Sequence, residues 1–109
     1  MNYKNMAIEL MGDLKNFLVT IFHNSEENNG KIYHALRMLG YKRSFIRDGE
    51  SYDLPENMFI RRVKGDNPKE VQNEEMQLVT QLLKEKSIEH GELGFFVGDD
   101  WTEIVTVEE

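Results

Sequence analysis

GKIYHALRMLGYKRSFIRDGESYDLPENMFIRRVK, residues 30–64 of a 109-residue chain, is the stretch that decides the fold. It reads as a helix closing at Leu36-Arg37-Met38-Leu39-Gly40, a strand over Tyr41–Ile46, a turn at Arg47-Asp48-Gly49-Glu50, a return from Tyr52, and a third strand over Met58–Val63. Ile32, Ala35, Leu36 and Leu39 recur at three- and four-residue steps, the period of one buried helical stripe, and Gly40 ends it. Asp-Gly suits the positive φ of a tight hairpin turn. Pro55 has no N–H to give a ladder, so it belongs at the start of a strand or on an edge.

Upstream, Phe17–His23 (FLVTIFH) is apolar and β-rich, the pattern of a strand buried on both faces in the middle of a sheet. Asn24 and Ser25 supply cap chemistry for the following helix, with Glu26 and Glu27 in its first turn, where the helix dipole favours anions. Downstream, Asn67-Pro68-Lys69-Glu70 is a helix start, with a cap, a proline at the first helical position and an acid two residues on. Val71, Leu78, Val79, Leu82 and Leu83 give that helix an apolar face to about Ile88, and Gly91 lies just beyond it. Leu93–Val97 and Trp101–Val107 are β-rich, and Gly98-Asp99-Asp100 between them reads as a tight turn, so the chain closes with a hairpin.

The order is therefore strand, helix, strand, strand, helix, strand. Right-handed crossovers put both helices on one face of the sheet. The expected fold is α+β, a ferredoxin-like βαββαβ sandwich with two helices on one face of a four-stranded antiparallel sheet and an additional C-terminal hairpin strand. Residues 1–15, with Met6, Leu10, Met11 and Leu14 at helical spacing, read as an extension or short helix, and residues 16–109 as one domain.

Composition narrows the function. Net charge is −7, yet from Lys31 to Lys64 eight basic residues face four acidic ones, a local +4 that leaves −11 elsewhere. Such a balance argues against wholesale wrapping of nucleic acid but leaves room for a local basic site. The absence of cysteine removes disulfides, thiolate metal sites and a cysteine nucleophile, and fits a reducing cytosol. No apolar run reaches membrane-spanning length, and Met1–Asp13 lacks the pattern of a secretory signal, so the expected location is cytoplasmic, without a membrane partner. No phosphate loop, dinucleotide fingerprint, zinc-protease helix or serine elbow occurs, and no cofactor is expected.

His23, His34 and His90 are the groups able to move protons near neutrality. His23 ends the first strand, where sites gather in α/β-type folds, although a backbone-bonded core histidine is the commoner role there. His34 shares a helical ridge with Arg37, three residues on. His90 follows the second helix, where a cation is favourable for structural reasons alone. Asp99-Asp100 and Glu108-Glu109 read as turn and tail, so no metal site is expected. Arg43, Arg47, Arg61 and Arg62, interleaved with Tyr41, Phe45, Tyr52 and Phe59, form a candidate surface for clamping phosphates and stacking unpaired bases. The other reading pairs these arginines with the excess carboxylates and puts the aromatics in the core.

Phe17–Phe22, Leu36-Arg37-Met38-Leu39 and Leu54-Pro55-Glu56-Asn57-Met58-Phe59 together resemble the GhoS antitoxin family, over roughly residues 16–88. The resemblance implies a small ferredoxin-like endoribonuclease that cleaves the messenger of a membrane toxin. It gives Arg37 the role of the family's L-R-x-L arginine, which is implicated in cleavage. A guanidinium can neutralise charge building on a scissile phosphate but cannot serve as a base at neutral pH, so His23 or His34 would have to move the proton. Where related adaptation nucleases place an acidic metal ligand this chain has Phe22-His23-Asn24, so any cleavage is expected to be metal-independent. The interval before the L-P-E-N-M-F segment is shorter here, and neither the N-terminal extension nor the acidic C-terminal hairpin has a family counterpart.

Two functions follow as expectations. One is an RNA-binding regulator of the antitoxin type, with Arg37 and the hairpin arginines as its site. The other is a non-enzymatic acidic module, such as a phage-encoded inhibitor of a nucleic-acid enzyme, whose Asp99, Asp100, Glu103, Glu108 and Glu109 imitate phosphate charge toward a protein partner. The Leu93–Val107 hairpin, with Phe95, Phe96 and Trp101, is a candidate homodimer surface.

Overall fold

The computed structural model describes residues 14–99 and 105–107. Its elements run β1 (Lys15–His23), α1 (Asn29–Met38), β2 (Ser44–Arg47), β3 (Glu50–Asp53), β4 (Met58–Gly65), α2 (Pro68–Glu85), β5 (Leu93–Asp99) and β6 (Val105–Val107). The chain is α+β with antiparallel pairing throughout. The N-terminal segment expected to be weakly helical lies outside the described residues except for Leu14 and Lys15, as do Asp100, Trp101, Glu103, Glu108 and Glu109.

The continuous apolar run of β1 has the place its composition calls for, between β4 and β5. Phe17, Val19 and Ile21 point to one side and pack with Ile32, Ala35 and Leu36 of α1 and with Val71, Val79 and Leu83 of α2. Both helices therefore lie on the same face of this sheet. Burial of the twelve-residue apolar cluster described there supplies the main driving force for folding, each of its larger aliphatic and aromatic side chains worth roughly 1.5–3 kcal/mol.

Local signals set several boundaries. Gly40 has φ +95 and follows the last turn of α1, where Tyr41 N–H returns to Leu36 C=O (3.1 Å) and Gly40 N–H to Arg37 C=O (3.0 Å), satisfying carbonyls a helix end would leave open. Asp48 and Gly49 both have positive φ, so β2 and β3 join through the expected two-residue turn. Asn67 caps α2 by accepting Glu70 N–H at 2.8 Å, with Pro68 at the first helical position.

Four expectations are corrected. The single four-stranded sheet is replaced by two three-stranded ones, β4-β1-β5 and β3-β2-β6. The segment ahead of β2 touches β4 only through the Lys42–Ile60 bridge; one residue later Arg43 C=O accepts Leu54 N–H (2.7 Å), so the ladder passes to the hairpin. Among the described residues β5 and β6 do not pair as a terminal hairpin: Gly98 and Asp99 stay in strand opposite Leu18 and Phe17, while β6 pairs with β2. The helix α1 starts at Asn29, after Asn24 and Ser25, and has no acidic residue in its first turn. The physical reason is long-range: Asn24 Oδ1 accepts Glu92 N–H (2.8 Å) and Ser25 N–H donates to His23 Nδ1 (3.1 Å), so the expected caps tie the loop instead. Finally, α2 ends at Glu85, short of Ile88, with Ser87 at φ +56.

Leu78, expected on the apolar face of α2, is 41% exposed, whereas Glu75 is 3% exposed. Glu75 lies four residues after Val71 and four before Val79, squarely in the buried stripe. Its Oε1 accepts from Arg61 Nε (2.6 Å) and from the Tyr41 hydroxyl (2.7 Å), and its Oε2 from Arg61 Nη2 (2.6 Å). Arg61 Nη1 donates to Leu39 C=O, and its guanidinium carbon lies 5.1 Å from the centre of the Tyr41 ring. A carboxylate buried this deeply is tolerated because both of its oxygens accept charge-assisted hydrogen bonds from a paired guanidinium.

Glu75→Ala leaves Arg61 without its counter-ion, and Arg61→Ala leaves a buried carboxylate unpaired; each should lower urea-unfolding stability by about 3–5 kcal/mol. Tyr41→Phe keeps the ion pair and should cost about 1 kcal/mol. Wild-type stability in Glu75→Ala would contradict this role for the pair.

Candidate functional site

Tyr33 and Arg37 sit one helical turn apart on α1, and the turn at Gly40 folds Tyr41, Lys42, Arg43 and Ser44 back beside them. Together with Asp53 at the end of β3 these residues line a hollow of about 270 Å³. Two of its cations lie on the Tyr33 ring. The Arg43 guanidinium carbon lies 4.9 Å from the ring centroid and that of Arg37 5.5 Å, both within cation–π range. Phe59 stacks on the same ring (centroids 5.9 Å, planes 25° apart), so Tyr33 is held from within the core. Arg43 Nε is buried and without a hydrogen-bond partner among the described residues.

Among the described residues that line it, the hollow thus gathers three cations, two of them on the Tyr33 ring, and one carboxylate, Asp53. Tyr41 contributes no titrating group. Burial, followed by its hydrogen bond to Glu75, pushes its hydroxyl far above the ordinary tyrosine range. Burial alone would lower the Arg61 pKa, but the hydrogen bonds and charge of Glu75 outweigh it and raise the group further, so it stays a permanent cation.

The residues singled out from sequence are distributed rather than gathered. Arg37 and Arg43 share the hollow. Arg47 is exposed at the hairpin tip beside Asp48, 4.0 Å away. Arg61 is committed to Glu75, which is the pairing of strand arginine with carboxylate read as the alternative, and its guanidinium is withdrawn from any surface site. Arg62, the next residue on β4, has the opposite side of the strand. Tyr41 and Phe59 are core residues, while Phe45 and Tyr52 stack on each other across the hairpin at 5.5 Å.

His23 and His34 do not join Arg37; each lines a different hollow. His34 is exposed on α1 near Lys31, Met38 and Lys86. His23 is 1% exposed, stacked on Phe59 at 5.9 Å, beside a second hollow of about 560 Å³ that also includes Glu26, Asn29, Glu56 and Asn57. Its Nδ1 accepts Ser25 N–H, so the neutral ring carries its proton on Nε2. Neither Nε2 nor the Asn29 Oδ1 beside it makes a hydrogen bond of full geometry. Burial lowers its pKa and His90 adds to that, against an opposing contribution from Asn29. His23 is therefore a neutral core residue at pH 7. Among the described residues no group of three or more His, Cys, Asp or Glu side chains could hold a metal, and no helix is long and apolar enough to cross a membrane.

Tyr33 and Lys42 were not singled out as site residues in the sequence. Tyr33 precedes Arg37 by four positions, a spacing that puts both on one helical ridge, and that was the available signal.

The His23 shift has a sign that can be measured. With a folded pKa below the ordinary value of about 6.5, the unfolded chain takes up the proton first on acidification. The stability contributed by neutral His23 is complete above about pH 6.5 and is lost as pH falls toward the folded pKa, by at most about 1.4 kcal/mol per pH unit. Urea midpoints measured between pH 7.5 and 5.5 should fall more steeply for wild type than for His23→Gln; parallel curves would contradict the assignment.

Set against protein-family models, curated proteins and solved structures, the chain has no match in any of the three comparisons.

Proposed function

We propose that the protein is a small RNA-binding regulator whose Arg37–Lys42–Arg43 hollow takes the phosphates of unpaired RNA, with the Tyr33 ring beside them. The observation that carries this reading is the pair of guanidinium groups held 4.9 and 5.5 Å from one aromatic ring in a hollow also lined by Lys42. Clustered cations in an acidic chain need a reason, and phosphate is the ligand that planar guanidinium groups bind best. A net charge of −7 disfavours indiscriminate binding of nucleic acid by the rest of the surface.

The function proposed agrees with the one implied by the likeness to the GhoS antitoxins. The fold reading that goes with it is ferredoxin-like: β5, β1 and β4 are in the order that fold requires, and the Lys42–Ile60 bridge stands where its fourth strand would pair. Strand scission would need a proton-transfer group next to a phosphate on Arg37. His23 lies at another hollow, and His34, whose ring is 5.9 Å from that of Tyr33, lines the hollow on the other side of α1 and not this one, so the reading put forward is binding without cleavage.

The test is fluorescence anisotropy with a labelled, unstructured RNA. Three phosphate contacts on a single strand predict a log–log salt slope of about −2 and roughly twentyfold weaker binding between 50 and 200 mM salt. Arg37→Ala and Arg43→Ala should each weaken binding about tenfold, and Arg47→Ala should change it less than about twofold. Salt-independent binding, or no effect of Arg37→Ala and Arg43→Ala in folded proteins, would refute the proposal.

A further inference from the structure

The hollow beside Tyr33 lacks counter-charge to a degree that narrows its ligand. Among the described residues Arg37, Lys42 and Arg43 form no ion pair, in contrast to Arg61, whose charge is met by Glu75. Asp53, the carboxylate in the wall, is exposed at the end of β3 and lies beyond salt-bridge distance of all three. The lining therefore carries an excess of two positive charges. Arg43 adds a second deficit, because its Nε is buried and makes no hydrogen bond. An unmet charged donor in that position is a standing cost, which an acceptor entering the hollow removes.

The surroundings of Tyr33 favour an anion over a stacked base. Phe59 and His34 each have ring centroids 5.9 Å from that of Tyr33, and the two guanidinium carbons lie at 4.9 and 5.5 Å. A base could stack on this ring only by displacing one of these groups. The end of α1 does not oppose the anion either. A helix C-terminus repels negative charge through its open carbonyls, but here Arg37 C=O accepts Gly40 N–H, Leu36 C=O accepts Tyr41 N–H, and Leu39 C=O accepts Arg61 Nη1.

RNA offers two kinds of phosphate. An internal diester has a single negative charge, two free oxygens and a strand leaving on both sides. A phosphate at a strand end has close to two negative charges at neutral pH, three free oxygens and one ester link. The second matches the excess of two charges and the three cationic side chains, and it enters a recess end-on. Asp53 sharpens the choice, since the same like-charge repulsion is offset less by a diester than by a dianion. We infer that the hollow selects RNA ends carrying a phosphomonoester, with Arg37, Lys42 and Arg43 sharing its three free oxygens.

This inference rests on the RNA-binding reading above and specifies which phosphate the hollow takes. It leaves the base sequence of the RNA unread, because the contacts are to phosphate alone.

The experiment compares one short oligouridine, labelled at an internal base, in three forms: 5′-phosphorylated, 3′-phosphorylated, and with hydroxyls at both ends. A terminal phosphate should tighten binding to wild type about tenfold over the hydroxyl form, and whichever end gives the gain identifies the source. Arg37→Ala, a change at an exposed position, should shrink that gain to less than about twofold in folded protein. Asp53→Asn, also exposed, should tighten binding of the phosphorylated RNA, because a like charge is removed. If all three forms bind wild type equally, the preference for ends is overturned and the RNA reading stands. If Asp53→Asn weakens binding and no form is preferred, the hollow reads a base edge and the inference is likewise overturned. If no form binds, both readings fall.

Discussion

The carboxylate of Glu75 is the constraint on which the other features depend. It is buried in the apolar stripe of α2, where Arg61 meets both of its oxygens and Tyr41 adds a third hydrogen bond. Taking an ion pair out of water is unfavourable, and only this near-complete satisfaction offsets it. The consequence is geometric as well as energetic. One side chain ties α2 to β4 and to the corner where α1 becomes the hairpin, and Arg61 extends the tie to the Leu39 carbonyl at the end of α1. Tyr41, fixed at 0% exposure, is followed directly by Lys42 and Arg43, so the wall of the Tyr33 hollow is anchored from below.

The same strand geometry explains how one basic stretch acquires three different environments. Arg61 and Arg62 are neighbours on β4, and the two-residue period of a strand sends one toward the helices and Glu75 and the other to the opposite face of the sheet. Arg37 and Arg43, by contrast, come from opposite sides of the Gly40 turn and meet over Tyr33. Counting charges along the chain treats all of these as one patch. Folding divides them into an interior counter-ion, a hollow and a sheet face.

What was legible in the sequence was local. The apolar run Phe17–Phe22 gave a central strand, Asp48-Gly49 a tight turn, Gly40 a helix end and Asn67-Pro68 a helix start, because each signal acts within a few residues. What was not legible depended on distant partners. Asn24 and Ser25 have the chemistry of caps but bond to Glu92 and His23, and Arg43 passes its carbonyl to Leu54, so β2 leaves the β4 ladder. Glu75 was half legible: its spacing from Val71 and Val79 put it in the stripe, while its charge argued it out, and only the presence of Arg61 resolves the conflict. For the candidate site, residue type and position point to Arg37 and Arg43, whereas Tyr33, the ring between them, carries no signal beyond its four-residue spacing from Arg37. The proton-transfer roles considered for His23 and His34 rested on proximity in sequence, which the helix and the strand end convert into separate hollows.

The central claim is that the Arg37, Lys42 and Arg43 side chains, braced by Glu75 through Tyr41, receive an RNA phosphate beside Tyr33. An NMR titration with unstructured RNA, following backbone amides and arginine Nε–H resonances together, tests it most directly. The account predicts that the largest shifts fall on Tyr33, Arg37, Lys42 and Arg43, with Arg61 Nε–H unchanged because it remains on Glu75. Shifts confined to other surfaces, or movement of the Arg61 resonance with the hollow silent, would contradict it.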